Sequence, residues 1–280
     1  MALTTTLQKL EKLDRRWVFL AMAIAVASPL FFKLGLAPKT TPPIKAFYEY
    51  VENLPPNSRV LCSFDYDPGS KAELNPMCIA VLEHLMIKGH RPIIITLWAT
   101  APALIERNIN QVCRDKYGKK YGVDYCYLGQ KEGREAVMVA MGKSIRATFP
   151  VDFYQTPVDN IPLMNGVDNY TQFAALISVS AGYPGTKEYV QYVTTRFDIP
   201  LLSGSSAVSV PEYSAYFQSG QLKGLLTGIT GAAEYEKLIG VPGLAITAMD
   251  GQTMGHIVII AFILFGNIVN YFVRRERARS

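Results

Sequence analysis

Gly142-Lys143-Ser144, within the stretch Ala140-Met141-Gly142-Lys143-Ser144, carries the last three letters of a phosphate-binding loop. In such a loop a run of backbone N–H groups wraps the phosphates and the lysine offsets their charge, which also requires a glycine five residues upstream and a strand leading in. Position 137 is valine, and the segment from Lys131 to Ala140 reads as well for a helix as for a strand. The stretch is therefore expected to close a helix, with Lys143 near the last carbonyls.

A second pattern with chemistry in it is Asp65-Tyr66-Asp67, directly after an apolar β-branched run. It resembles the first motif of the haloacid-dehalogenase superfamily, which places two aspartates one residue apart after a first strand. The resemblance implies that Asp65 attacks a phosphate, that Asp67 protonates the leaving group, and that Mg²⁺ offsets the charge. It covers three residues of 280 and departs from the family at Pro68-Gly69. The alternative is that both aspartates cap the turn and the helix that follows.

Four turns, at 63–70, 178–188, 202–212 and 226–234, combine Gly, Ser, Thr and Pro between an apolar run and a helical one. In open parallel sheets ligands bind outside the carboxyl ends of the strands, where small residues allow close backbone approach. Gly182, Gly185, Ser203, Gly204, Ser205, Gly228, Thr230 and Gly231 are thus the candidates for a small anionic or polar ligand. The same residue types are what any such turn and helix cap require. No G-x-G-x-x-G follows the first strand and no G-x-S-x-G elbow occurs, so neither a dinucleotide nor an acyl-transfer site is indicated. His84, His90 and His256 have no metal-ligand spacing, and no cofactor is expected.

These turns need strands and helices to place them. Apolar runs at 59–64, 92–97, 123–128, 174–179, 199–202 and 222–227 alternate with helical stretches at 71–88, 102–117, 186–197, 210–218 and 232–239. Nearly continuous apolar strands alternating with helices imply a sheet covered on both faces. The expected fold is α/β, a doubly wound, Rossmann-like, mostly parallel sheet of five or six strands, flanked by one N-terminal and one C-terminal transmembrane helix. Residues 143–173, rich in Pro, Asp, Asn and Gly, show no period; a loop that long is functional or hides short elements.

The membrane expectation rests on two apolar runs, 17–37 and 254–273; the second contains no Asp, Glu, Lys or Arg. The first reads as an uncleaved anchor in preference to a secretory signal. Lys9, Lys12, Arg15 and Arg16 precede the first run, and Arg274, Arg275, Arg277 and Arg279 follow the second. By the positive-inside rule, tails 1–16 and 274–280 are cytoplasmic and 38–253 forms an extracytoplasmic domain of a two-pass inner or plasma membrane protein. Eight of the positive charges behind the net +5 belong to these clusters, so the balance does not indicate nucleic acid. Cys62, Cys78, Cys113 and Cys126 sit in apolar settings and are expected as buried thiols, with Cys113–Cys126 the one pairing to check. Asn267 and Asn270 share a helix face in the second run, and Gly251 and Gly255 permit close helix approach. The partners expected are the lipid bilayer and other membrane protein subunits or further copies of the chain. The expected function is a non-catalytic, membrane-anchored interaction or scaffold module, with a tethered ligand-binding domain and a Mg²⁺-dependent phosphatase as alternatives.

Overall fold

The computed structural model describes residues 14–32, 34–35 and 39–277. Lys9, Lys12 and Arg279 of the charge argument lie outside the described residues. In chain order the elements are α1 (Arg15–Ala27), α2 (Pro42–Glu52), β1 (Arg59–Asp65), α3 (Lys71–Ile87), β2 (Arg91–Thr96) and α4 (Pro102–Ile109), which widens into a π-helical stretch, Asn110–Lys116. Then come β3 (Cys126–Gln130), α5 (Glu135–Lys143), α6 (Ile145–Thr148), β4 (Ala175–Ser180), α7 (Thr186–Tyr189), a second π-helical stretch Val190–Thr194, and α8 (Thr195–Phe197). The chain continues through β5 (Leu201–Ser205), α9 (Val210–Gln218), β6 (Leu222–Thr227), α10 (Gly228–Leu238) and α11 (Leu244–Arg277). Contacts divide it into two units, Pro38–Ala245 and the pair Met1–Ala37 with Ile246–Ser280.

The unit Pro38–Ala245 is a six-stranded parallel sheet in the order β3-β2-β1-β4-β5-β6. Its strands are apolar at almost every position because helices cover both faces: all six residues of β4 are buried, as are five of the six in β2. On one face Leu61, Ile93, Ile95, Leu176 and Leu201 form a core with Met138, Met141, Tyr170, Val190 and Val193. On the other, α2 lies on β6 and α3 on β2, β4 and β5, with α10 packed on both helices. The approach of α2 is close enough that a Cβ at Gly224 would overlap the backbone of Phe47.

Gly142 is explained by packing. It lies inside α5, and the ring of Phe197 occupies the place its Cβ would take. The helix ends at Lys143, and Ser144 then caps α6, accepting from Ala147 N–H and donating to Asp168 at 2.7 Å. The phosphate-loop triplet is thus a helix end followed by a cap. Residues 143–173 hold α6 and three single 3-10 turns, too short to carry a period. The four cysteines are buried free thiols, and Cys113 is not bridged to Cys126.

Among the described residues an N-terminal membrane span is not supported. α1 has 13 residues, about 20 Å of helix, where a hydrocarbon core is about 30 Å thick. Its α-helical bonding ends at Ala27 because Pro29 has no N–H to give to Ala25 O, which accepts Ser28 Oγ at 2.8 Å instead; Ser28 itself stays helical and opens a 3-10 turn. Among the described residues, one helix is long and apolar enough to cross a membrane: Leu244–Arg275, of whose most apolar window only 11% is buried. It starts ten residues before the apolar run at 254. Gly251 and Gly255 face Val26: Cβ atoms there would stand 3.2 Å from its carbonyl oxygen and 3.3 Å from its side chain. Asp250 accepts the N–H groups of Leu34 and Gly35, each at 2.9 Å. With Met22 also near Gly255, this order of contacts runs α1 antiparallel to α11.

Candidate functional site

The strand order reverses between β1 and β4, and their carboxyl ends are where a doubly wound sheet offers a crevice. Asp65 ends β1 opposite Ser180 of β4, which faces Ser205 of β5, which faces Thr227 of β6. Two residues below, Ser63, Ser178 and Ser203 repeat the row on the same face. Apart from Thr227 these residues are all buried. Their small side chains let the start of α7 settle on the sheet: Thr186 N–H donates to Ser180 Oγ at 3.3 Å, and Thr186 Oγ1 bonds Ser178 at 3.2 Å and Ser203 at 2.8 Å. Gly185 fits only without a Cβ, which would overlap Gly182 O and Ser180 Oγ, and its N–H donates to Glu188 at 2.8 Å.

Asp65 is the hub of this layer. Its carboxylate accepts from Ser63 Oγ at 2.5 Å, Leu97 N–H at 2.6 Å and Thr96 Oγ1 at 3.2 Å, and Ser63 in turn accepts from Tyr189 OH at 2.8 Å. Burial pushes its carboxyl up to about 6, against the opposing pull of the Ser63, Leu97 and Thr96 hydrogen bonds. Asp67, half-buried in the following turn, accepts from Ser70 N–H at 2.8 Å and Ser70 Oγ at 2.7 Å. Those bonds hold it below the usual aspartate range. A nucleophile must be reachable, and Asp65 has no exposed surface. Both carboxylates act here as turn and strand-end fasteners.

The open part of the edge lies over β2 and β3. Leu97, Trp98, Gln130, Arg134, Tyr183 and Pro184 line a crevice of about 250 Å³. Trp98 Nε1 donates to Pro184 O at 3.0 Å, linking the loops that follow β2 and β4 across the end of β1, which lies between them. Arg134, at φ 52°, lays its guanidinium 5.1 Å from the centre of the Tyr183 ring, and Tyr183 OH donates to Glu135 at 2.7 Å. A cation, two aromatic rings and an amide are binding groups, and the volume suits a small ligand rather than a dinucleotide. Larger hollows of about 320 and 420 Å³ lie beyond β3 and at the amino ends of β5 and β6, away from this row.

Of the candidates read from the sequence, Gly182 and Gly185 lie in the loop over the switch point, where a Cβ at Gly182 would stand 4.0 Å from the Trp98 ring. Ser203 and Ser205 sit in β5 itself, with Ser205 Oγ buried and unpartnered among the described residues. Gly204 faces Met77 and Val179 on the other side of the sheet. Gly228, Thr230 and Gly231 form the first turn of α10 instead of an open loop, and Gly231 packs on Ile44. Asn267 and Asn270 are exposed on α11. No grouping of three or more His, Cys, Asp and Glu among the described residues could hold a metal ion.

Sequence reasoning misses Trp98 and Arg134, although one of only two tryptophans directly after a strand is a visible signal. It also misses Glu234 and Glu236 of α10, which fasten the chain where it enters and leaves this unit. Glu234 accepts from Thr41 N–H at 2.7 Å, at the start of α2. Glu236 accepts from Gly243 N–H at 2.9 Å and Ala245 N–H at 3.0 Å, at the start of α11. His84 is likewise not isolated: it bonds Tyr235 OH at 2.6 Å and Glu52 at 3.0 Å, but Tyr235 has no exposed surface from which to meet a substrate. The chain matches no protein-family model, no curated protein and no solved structure.

Proposed function

We propose that this chain is a membrane-anchored, non-catalytic subunit of a membrane assembly, with its Rossmann-like domain serving as the interaction module outside the cytoplasm. The observation that carries the reading is α11, a largely uncovered apolar helix that begins within the domain's own last residues and ends in Arg274 and Arg275. The positive-inside rule puts that basic end in the cytoplasm and the domain across the membrane from it. A supporting consideration is that Asp65 and its serine neighbours are engaged in holding α7 and the loop after β2. The test is to extract the intact chain gently at natural abundance and weigh what leaves the membrane with it.

A second reading, the tethered ligand-binding domain, is favoured by the crevice at Trp98, Arg134 and Tyr183. Thermal melts with inorganic phosphate and small aromatic carboxylates are then expected to rise with ligand concentration, and Arg134→Ala to remove the rise. An unchanged melt at millimolar ligand counts against this reading and leaves the first intact.

A further inference from the structure

Gln252, His256, Ile259, Ile263, Gly266 and Asn270 follow one another along α11 at intervals of four, three, four, three and four residues. That is the seam of a left-handed helix pair, in which every 3.5 residues a side chain returns to the same partner. All six are exposed. The seam borders the stripe the chain buries itself, which carries Gly251, Gly255, Val269 and Val273. Asn270, and Asn267 beside it, have side-chain amides without a partner among the described residues. Hydrocarbon offers an amide no hydrogen bond, so a helix that crosses a bilayer with these groups outward gains from covering them.

We propose that the seam docks on the same seam of a second copy of this chain, forming a parallel helix pair; this rests on the membrane reading of α11. Three features select a second copy. An asparagine amide is donor and acceptor at once, so Asn270 complements Asn270 across a two-fold axis. Copies inserted into one membrane point the same way, which brings each seam residue level with its own counterpart. Gly266, whose Cβ position is open, lets the two backbones approach next to that amide pair.

The test uses the full chain in its membranes. The four native cysteines are buried, so an introduced cysteine reports alone. Oxidation is expected to join Ile263→Cys into a disulfide dimer and to leave Ala261→Cys, half a turn away, monomeric. Asn270→Leu keeps the helix apolar and is expected to lower the crosslinked fraction of Ile263→Cys about tenfold at equal protein density, the effect of losing one interhelical amide bond. A chain that resists alkaline extraction yet gives no crosslink at 263, equal crosslinking at 261 and 263, or a crosslink to a different protein overturns the self-pairing while leaving the anchor standing. Release of the unmodified chain by alkaline extraction overturns the anchor reading and the pairing with it.

Discussion

Asp65→Asn is expected to gain stability over the parent chain as the pH rises from 4 to 7, by about 2 kcal/mol across that interval. The folded carboxyl is pushed to about 6 by burial, whereas an unfolded aspartate titrates near the ordinary value of about 3.9. The folded state therefore holds its proton more tightly than the unfolded one. That contribution is fully present below the unfolded value and is lost as the pH climbs through the folded one. Asparagine has nothing to lose over this range. It also fits the site: its carbonyl oxygen can accept from Leu97 N–H and Thr96, and its NH₂ can donate to Ser63 Oγ, which already accepts from Tyr189. Asp65→Ala, by contrast, strands the donors of Ser63, Thr96 and Leu97 and should cost about 3 kcal/mol at pH 4. Denaturant melts of the three chains at four pH values decide the matter; parallel stability curves for the parent and the Asp65→Asn chain would refute the buried-hub assignment.

The second large effect is expected at Glu236. Glu236→Ala removes the acceptor for two N–H groups at the first turn of α11, one of them on the fully buried Ala245. Hydrogen bonds to a charged acceptor are worth about 1.5–3 kcal/mol each, and Gly243 packs directly against this carboxylate. A loss of about 3 kcal/mol is expected, a fall in melting temperature of roughly 6–12 °C for a unit of this size. Amide exchange should rise in the peptide spanning 241–247 before it rises in β1 or β4. Glu236→Gln, which keeps one acceptor, should fall between the two. An unaltered melt together with unaltered exchange at 241–247 would show that the carboxylate does not hold this junction.

How much of this is legible in the sequence depends on where each residue's partner lies. β2 and β4 read clearly because runs such as Pro92-Ile-Ile-Ile and Ala175-Leu-Ile are apolar on both faces, and burial on both faces is what they meet. The sequence pattern ends β5 at 202 because Ser203-Gly204-Ser205 has the composition of a turn. The structure keeps it extended because α7 needs hydroxyls below it and Met77 needs a residue without a side chain. The expected start of β3 at 123 falls instead in a tight turn at Gly122, whose N–H bonds Tyr125 O at 2.8 Å. At the candidate site Asp65 is visible as a carboxylate after a strand, but its burial depends on Thr96 and Leu97, 31 and 32 positions away. Glu234 is harder still, since its partner Thr41 is 193 residues distant. The apolar run at 17–32 outweighs Pro29 in the sequence reading, while in the structure that proline marks where the helix stops.

The most direct measurement of the central claim is the native mass of the full chain, released gently from its own membranes at natural abundance. A membrane-anchored interaction module predicts a mass holding further copies of the chain or other membrane proteins at fixed stoichiometry, and no monomer in excess. A single chain of 31.0 kDa carrying at most a small ligand would contradict it and transfer the function to the crevice at Trp98 and Arg134.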